Sequence, residues 1–183
     1  MTTPTFHGAR GVYRPLVVED GPALFVAHGD RLVHHFWSSP AHGSLEESVA
    51  YTAATLAVDN SHHWAITQEG GEALGRVSIF LRRDGVGEIG VILRSAAQGK
   101  GLTSEALRFV LAHGFEALSL HRIEADIDPD NTASLRLFSR AGFVREALLR
   151  ANWKTHIGIR DSVIMAKFPA KDLREDLSPR IAL

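Results

Sequence analysis

The sequence predicts an α+β domain, a mixed and mostly antiparallel sheet of about seven strands flanked by about four helices. Three observations carry this. Short β-prone runs at Trp64 to Thr67, Ala73 to Leu81 and Gly87 to Leu93 are separated by the hairpin signals Glu69-Gly70-Gly71 and Asp84-Gly85, the pattern of an antiparallel meander. After Gly101 the pattern changes, with Leu102, Ala106, Phe109, Val110 and Phe115 marking one apolar face at a period of about 3.6. Strand and helix patterns then alternate, giving the order β-α-α-β-β-β-α-β-α-β-β.

Taken in order, Tyr13 to Val18 is β-prone, and Asp20-Gly21-Pro22 offers a cap followed by proline in the first helical turn. Ser44-Leu45-Glu46-Glu47 has capping-box spacing, and Leu45, Val49, Thr52 and Leu56 recur at helical intervals, so a second helix is expected to run to about Asn60. Between these helices His34-His35-Phe36-Trp37 reads as an exposed aromatic segment. The helix after Gly101 ends near Leu118. Ile123, Ala125 and Ile127 alternate as a strand, Asp128-Pro129-Asp130-Asn131 is a turn and cap, and Leu135, Leu137, Phe138 and Ala141 form a helix closed by Gly142. Strands at Phe143 to Arg150 and Asp161 to Phe168 complete a single domain over residues 12–168, with residues 1–11 and 169–183 as tails.

Composition narrows the function. The chain has 183 residues, 20 Lys+Arg against 21 Asp+Glu, 45% hydrophobic residues and no cysteine. A balanced charge without a basic stripe argues against nucleic acid as a partner. Without cysteine there is no disulfide framework, thiolate nucleophile or thiolate metal site. No apolar run approaches the ~18 residues of a membrane span, and Met1 to Arg10 carries no signal-like stretch, so no membrane partner and a cytoplasmic location are expected.

The most informative stretch is Ala97-Gln98-Gly99-Lys100-Gly101-Leu102-Thr103-Ser104-Glu105-Ala106, between a buried strand and an amphipathic helix. Gly99 and Gly101 let backbone N–H groups approach a phosphate, and the positive helix end favours its charge. Ser104 adds a hydroxyl. A Walker A loop would need glycine where Arg94 stands and Ser or Thr where Gly101 stands, and a Rossmann fingerprint would need glycine at Ser104. A glycine-rich turn without ligand is the alternative for the loop alone.

This loop resembles that of the GCN5-related N-acetyltransferase (GNAT) superfamily, Gln/Arg-x-x-Gly-x-Gly/Ala, here Gln98-Gly99-Lys100-Gly101-Leu102-Thr103 with Thr103 departing at the last position. The resemblance extends through Glu88-Ile89-Gly90, Ser104-Glu105-Ala106, His121-Arg122-Ile123-Glu124-Ala125 and Asp128 to Ser134, and looks like the RimJ/RimL branch of ribosomal-protein N-terminal acetyltransferases. It implies a central strand pair that splays apart around acetyl-CoA as co-substrate, with no metal. Pantetheine would pair with Val91, Ile92 and Leu93, and the pyrophosphate would sit on Gln98, Gly99, Lys100, Gly101, Leu102, Thr103 and Ser104. Asn131 and Arg136 match positions facing the cofactor. The backbone N–H of Val91 or Ile92 is the oxyanion donor. Where many members carry a tyrosine as acid this chain has Phe138, and the resemblance implies that role for Ser134, which matches a serine that RimL-like enzymes place beside the sulfur; a helix-cap or packing serine is the alternative.

Glu88 resembles a water-linked glutamate base of the superfamily. RimL-like chains place another glutamate near Asn152, where asparagine cannot accept a proton. His34, His35 and Trp37 fall in the segment the family uses for acceptor contacts, and Asn152 is a weaker candidate. The pairs His34-His35 and His62-His63 point to opposite sides of a strand and HExxH spacing is missing, so no metal site is expected. The resemblance thus implies acetyl transfer to a primary amine by direct attack. Three readings remain: a protein N-terminus as acceptor, a small amine such as an antibiotic or polyamine, or a CoA-binding regulatory domain without turnover. Association as a homodimer is left open.

Overall fold

The computed structural model describes residues 2–169. The strands are β1 (Phe6–His7), β2 (Val12–Pro15), β3 (Ser61–Thr67), β4 (Gly75–Arg83), β5 (Val86–Leu93), β6 (Arg122–Ile127), β7 (Val144–Thr155) and β8 (Gly158–Lys167). The helices are α1 (Gly21–His28), α2 (Leu45–Leu56), α3 (Leu102–Glu116) and α4 (Thr132–Arg140). One eight-stranded sheet has the order β1-β2-β3-β4-β5-β6-β8-β7; only β5 and β6 run parallel.

Strand alternation divides this sheet into two unlike faces. Trp64, Ile66, Val77, Ile79, Ile89, Ile123 and Ala125 turn toward α3 and join Leu102, Ala106, Leu107, Val110 and Leu111 in the main core. The other face, under α1 and α2, holds a smaller apolar cluster of Leu16, Leu24, Ala65 and Ala73. The same face carries buried polar residues, among them His63, Arg76 and Ser78.

Several boundaries differ from expectation. The segment read as an N-terminal tail supplies an eighth strand: Phe6 pairs with Tyr13. Its ring stacks on Phe109 at 5.3 Å, and Trp64 Nε1 donates to Pro4 O at 2.8 Å. One aromatic in a polar stretch gives no periodicity, so the anchor shows only in tertiary packing. The second helix stops at Leu56 rather than near Asn60, which adopts φ 55° and turns the chain into β3. β7 and β8 form a hairpin longer than the two runs that marked it. Of the expected C-terminal tail, residues 170–183 lie outside the described residues.

The central strands part where the site forms. β5 pairs with β6 only from Val86 to Glu88, opposite Arg122 to Glu124. Arg94 N donates to Leu74 O at 2.9 Å. Because antiparallel bonded pairs recur at every second residue, Arg76–Ile92 and Ser78–Gly90 are bonded pairs too. The N–H groups of Val91 and Leu93 therefore point away from β4 into the gap, while that of Ile92 is spent on β4. Of the two N–H groups named from the sequence, only that of Val91 faces the gap.

Candidate active site

The gap between β5 and β6 opens into a cavity of about 390 Å³. Gly90 and Val91 line one wall, and Ile127, Asn131, Ser134 and Phe138 the other. Asn131 caps α4, its Oδ1 accepting from Ser134 N at 3.1 Å, so the Asn131 side chain positions Ser134 while lining the cavity itself. Ser134 Oγ has no hydrogen-bond partner among the described residues and faces the cavity. Phe138 is buried edge-to-face against Phe143 at 5.0 Å. Tyr13 is far from this chemistry: its hydroxyl donates to Leu102 O at 3.1 Å and to Glu105 Oε2 at 2.8 Å, and burial and Glu105 push it above its ordinary value.

Gly99 and Gly101 take φ of 75° and 77°, values that side chains resist. Gly101 O accepts from Glu105 N, and the N–H groups of Leu102, Thr103 and Ser104 have no backbone acceptor in that turn, the usual state of a helix start. Gly99, Lys100, Gly101 and Ser104 line a depression with Arg10, Glu105 and Arg108, giving three cations and one carboxylate around free donors. Gln98 Nε2 donates to Leu93 O at 3.0 Å, tying the loop to β5, so this side chain shapes the loop and does not reach across it. Leu102 is buried in the core, and Arg136 is exposed on α4 and lines neither hollow.

Arg10 was missed because it sits in the expected tail. Glu105 brings it there, accepting from Ala9 N at 3.0 Å and Arg10 N at 2.9 Å. Burial works against the ionised Glu105. The N–H of Arg10 and the Tyr13 hydroxyl outweigh it and hold the carboxyl below its ordinary value.

On the acceptor side, Glu88 is held by Arg82 through two bonds of 3.0 and 3.1 Å. Asp126 Oδ2 accepts from Trp153 Nε1 at 2.8 Å and Asn152 Nδ2 at 3.4 Å; Asn152 also donates to Ser162 Oγ at 3.0 Å and so braces the wall from outside the cavity. The Arg160 guanidinium pushes Asp128 below its ordinary value. The tip of the β7–β8 hairpin rests on the segment before α2 through His156 Nδ1, which donates to Trp37 O at 3.1 Å.

That segment is not exposed as expected. Trp37 lines the cavity, but His34 is 1% exposed and stacks behind Trp37 at 5.1 Å, and His35 is exposed outside it. Neither histidine lines the cavity. His34 joins His28 and His42 in a buried cluster in which one ring nitrogen of each lies within 4.8 Å of the others. A separation of 28, 34 and 42 across a loop has no sequence signature, so it went unseen. His34 Nδ1 donates to Ser39 O, its Nε2 accepts from His28 Nδ1, and His28 Nε2 is left buried without a partner. Burial, helped by the nearby Arg76 charge, pushes His28 down to about 2; burial likewise brings His34 to about 4. The same Arg76 charge opposes a metal cation among these neutral rings.

Residues 10–144 match the family described as "Acetyltransferase (GNAT) domain". The chain belongs to this GNAT acetyltransferase family. It is similar to the Bacillus subtilis (strain 168) protein "Probable N-acetyltransferase YjcK", with 36% identity over 115 residues, 61% of this chain and 64% of that protein. The match therefore spans less than two thirds of the relative's length. Two solved structures share the fold. The spermidine N-acetyltransferase from Vibrio cholerae, in complex with CoA and spermine, has TM-score 0.78 and 19% identity over 91% of this chain and 100% of that one. The ribosomal-protein-S5-alanine acetyltransferase from Vibrio fischeri has TM-score 0.75 and 20% identity over 90% and 96%. GNAT enzymes take their acetyl group from acetyl-CoA, and this chain has the features to hold it. The free β5 edge and the open space at Gly90 suit the pantetheine arm, and the Gly99–Gly101 loop on α3 suits the pyrophosphate.

Proposed function

We propose that residues 12–168 form a cytoplasmic N-acetyltransferase of the RimJ/RimL-like branch that moves acetyl to a primary amine by direct attack, without a covalent enzyme intermediate. The observation that carries this is the splay of β5 from β6, which turns the Val91 N–H and the unpaired Ser134 Oγ onto one cavity. Acetyl-CoA supplies an activated acyl carbon. Val91 N–H is fixed by the strand, so it stabilises negative charge on the acyl oxygen at little reorganisation cost. Ser134 gives its proton to the departing thiolate, and its place is fixed by the Asn131 cap.

Glu88, which Arg82 holds in place, accepts the amine proton through water, as its resemblance to the water-linked glutamate of the superfamily implies. An α-amine needs little such help: with a pKa of about 7.8, roughly 10% of it is neutral at pH 7, against well under about 1% of a lysine. The names of the structural neighbours support both rival acceptors, a polyamine and a protein N-terminus. Thiol release from acetyl-CoA over a panel of amines tests the activity. Ser134→Ala is expected to lower kcat by ~10²-fold with little change in acetyl-CoA KM. Equal kcat would remove Ser134 from its role, and no release with any amine would overturn the activity itself.

A further inference from the structure

One cation in the lining of the cavity has no carboxylate partner of its own, although Glu88, Asp126, Asp128 and Asp161 line the same cavity. Arg76 is 4% exposed, yet it lines the cavity. Its partners are neutral: Nη1 donates to Ser78 Oγ at 2.8 Å and Nη2 to Tyr51 Oη at 3.1 Å. The guanidinium lies over the rings of Trp37 and Tyr51 at 5.7 and 5.5 Å. Among the described residues no carboxylate pairs with it, whereas Arg14 and Arg94 each have one and Arg122 and Arg160 each have two. The histidines behind the wall, neutral or protonated, supply no negative charge. A guanidinium offers five donors in a planar fork, and a buried charge without a counter-ion is costly unless something else brings the anion.

Its position says what brings it. Ser78, which holds Nη1, is in register with Gly90 one strand away, and a Cβ at Gly90 would have no atom within 4 Å. The guanidinium thus overlooks open space beside Val91, the residue whose N–H faces the acyl oxygen. The pyrophosphate loop lines a separate depression that shares no residue with this cavity, so the cofactor phosphates do not neutralise Arg76. We propose that Arg76 binds a carboxylate of the acceptor, so that the substrates are amines bearing a carboxylate within a few bonds of the reacting nitrogen. A carboxylate matches the guanidinium fork in two parallel bonds. Trp37, Tyr51 and Phe80 receive the carbon skeleton. A polyamine, cationic throughout, would meet repulsion at Arg76 itself and would depend on the carboxylates Asp126 and Asp161 elsewhere in the lining. The inference rests on the acetyltransferase reading and narrows its acceptor.

The test compares acids with their amides in thiol release by the full chain. L-phenylalanine against its amide represents a free amino acid, and Ala-Asp amide against Ala-Asn amide an acidic peptide, with spermidine as the carboxylate-free reference. In at least one pair the acid is expected to exceed its neutral partner in kcat/KM by ~10-fold or more, and the pair that does so identifies the source. Arg76→Met should bring that ratio to about one, while Arg76→Lys should keep part of it. Calorimetry on the CoA-saturated protein, with the N-acetylated acids and amides as ligands, reads the same preference without turnover. Acids favoured in binding with no release from any amine would support Arg76 and overturn the acetyltransferase reading. Neutral partners or spermidine used and bound as well as the acids would overturn the Arg76 proposal and leave that reading intact.

Discussion

Glu88 stands 38% exposed in its ion pair with Arg82, which makes its part in the reaction separable from folding. Glu88→Gln keeps shape and hydrogen bonding but removes the basic site. Turnover is expected to fall most at low pH and to recover as pH rises, because bulk solvent then deprotonates the amine that the variant cannot. A pH–rate profile scaled by one factor throughout would instead assign Glu88 to positioning. Arg76 makes an opposite kind of prediction. Replacing a buried, unpaired guanidinium with an apolar chain of similar length removes a desolvation cost, so Arg76→Met is expected to match or exceed the parent in thermal midpoint without ligand. Gly99 and Gly101 were legible in the sequence by local spacing, whereas Glu88 and Ser134 were named only through the family resemblance. Arg76, His28 and Asp126 were legible by neither, since each has meaning only through partners on other strands or helices.

At the scale of elements, α3 shows what local pattern does and does not reveal. Its apolar face and glycine start predicted both the helix and the anion site at its N-terminus. The strap over that site is non-local: residues 9 and 10 are drawn onto Glu105 from the far end of the chain, and a Cβ at Gly101 would approach Arg10 Nε to 2.9 Å. Gly101→Val therefore carries two faults, a strained φ of 77° and displacement of a phosphate-facing arginine. It is expected to weaken CoA binding by ~10-fold or more in calorimetry, since several donors are misplaced together. Unchanged affinity would remove the loop from the cofactor site. The splay of β5 from β6 was legible only by resemblance, because strand pairing joins segments 35 or so residues apart and leaves no trace in either strand's own alternation.

Over the whole molecule the polar face of the sheet sets the response to acid. His28, His34 and His63 are buried and held neutral, at about 2, 4 and 4 against an ordinary 6.5, chiefly because burial disfavours the imidazolium. In the unfolded chain each would take up its proton near 6.5. Between about pH 6.5 and 4 the unfolded state thus binds more protons than the folded one, and stability falls as pH falls. Each fully shielded histidine contributes up to ~1.4 kcal/mol per pH unit in that window, so the three together contribute several kcal/mol by pH 5. The carboxyls that the fold depresses, Asp128 and Glu105 among them, act below their own ordinary values near 4 and do not confuse the range. Denaturant midpoints measured from pH 7.5 to 5.0 should decline steadily once pH passes below about 6.5. His63→Gln should flatten part of the decline, because the amide can still bond Ser78 Oγ, now 2.8 Å from the ring, but takes up no proton in either state. A midpoint that holds constant to pH 5 would mean that these rings gain solvent or a counter-charge on protonation, and that the face around Arg76 opens in acid.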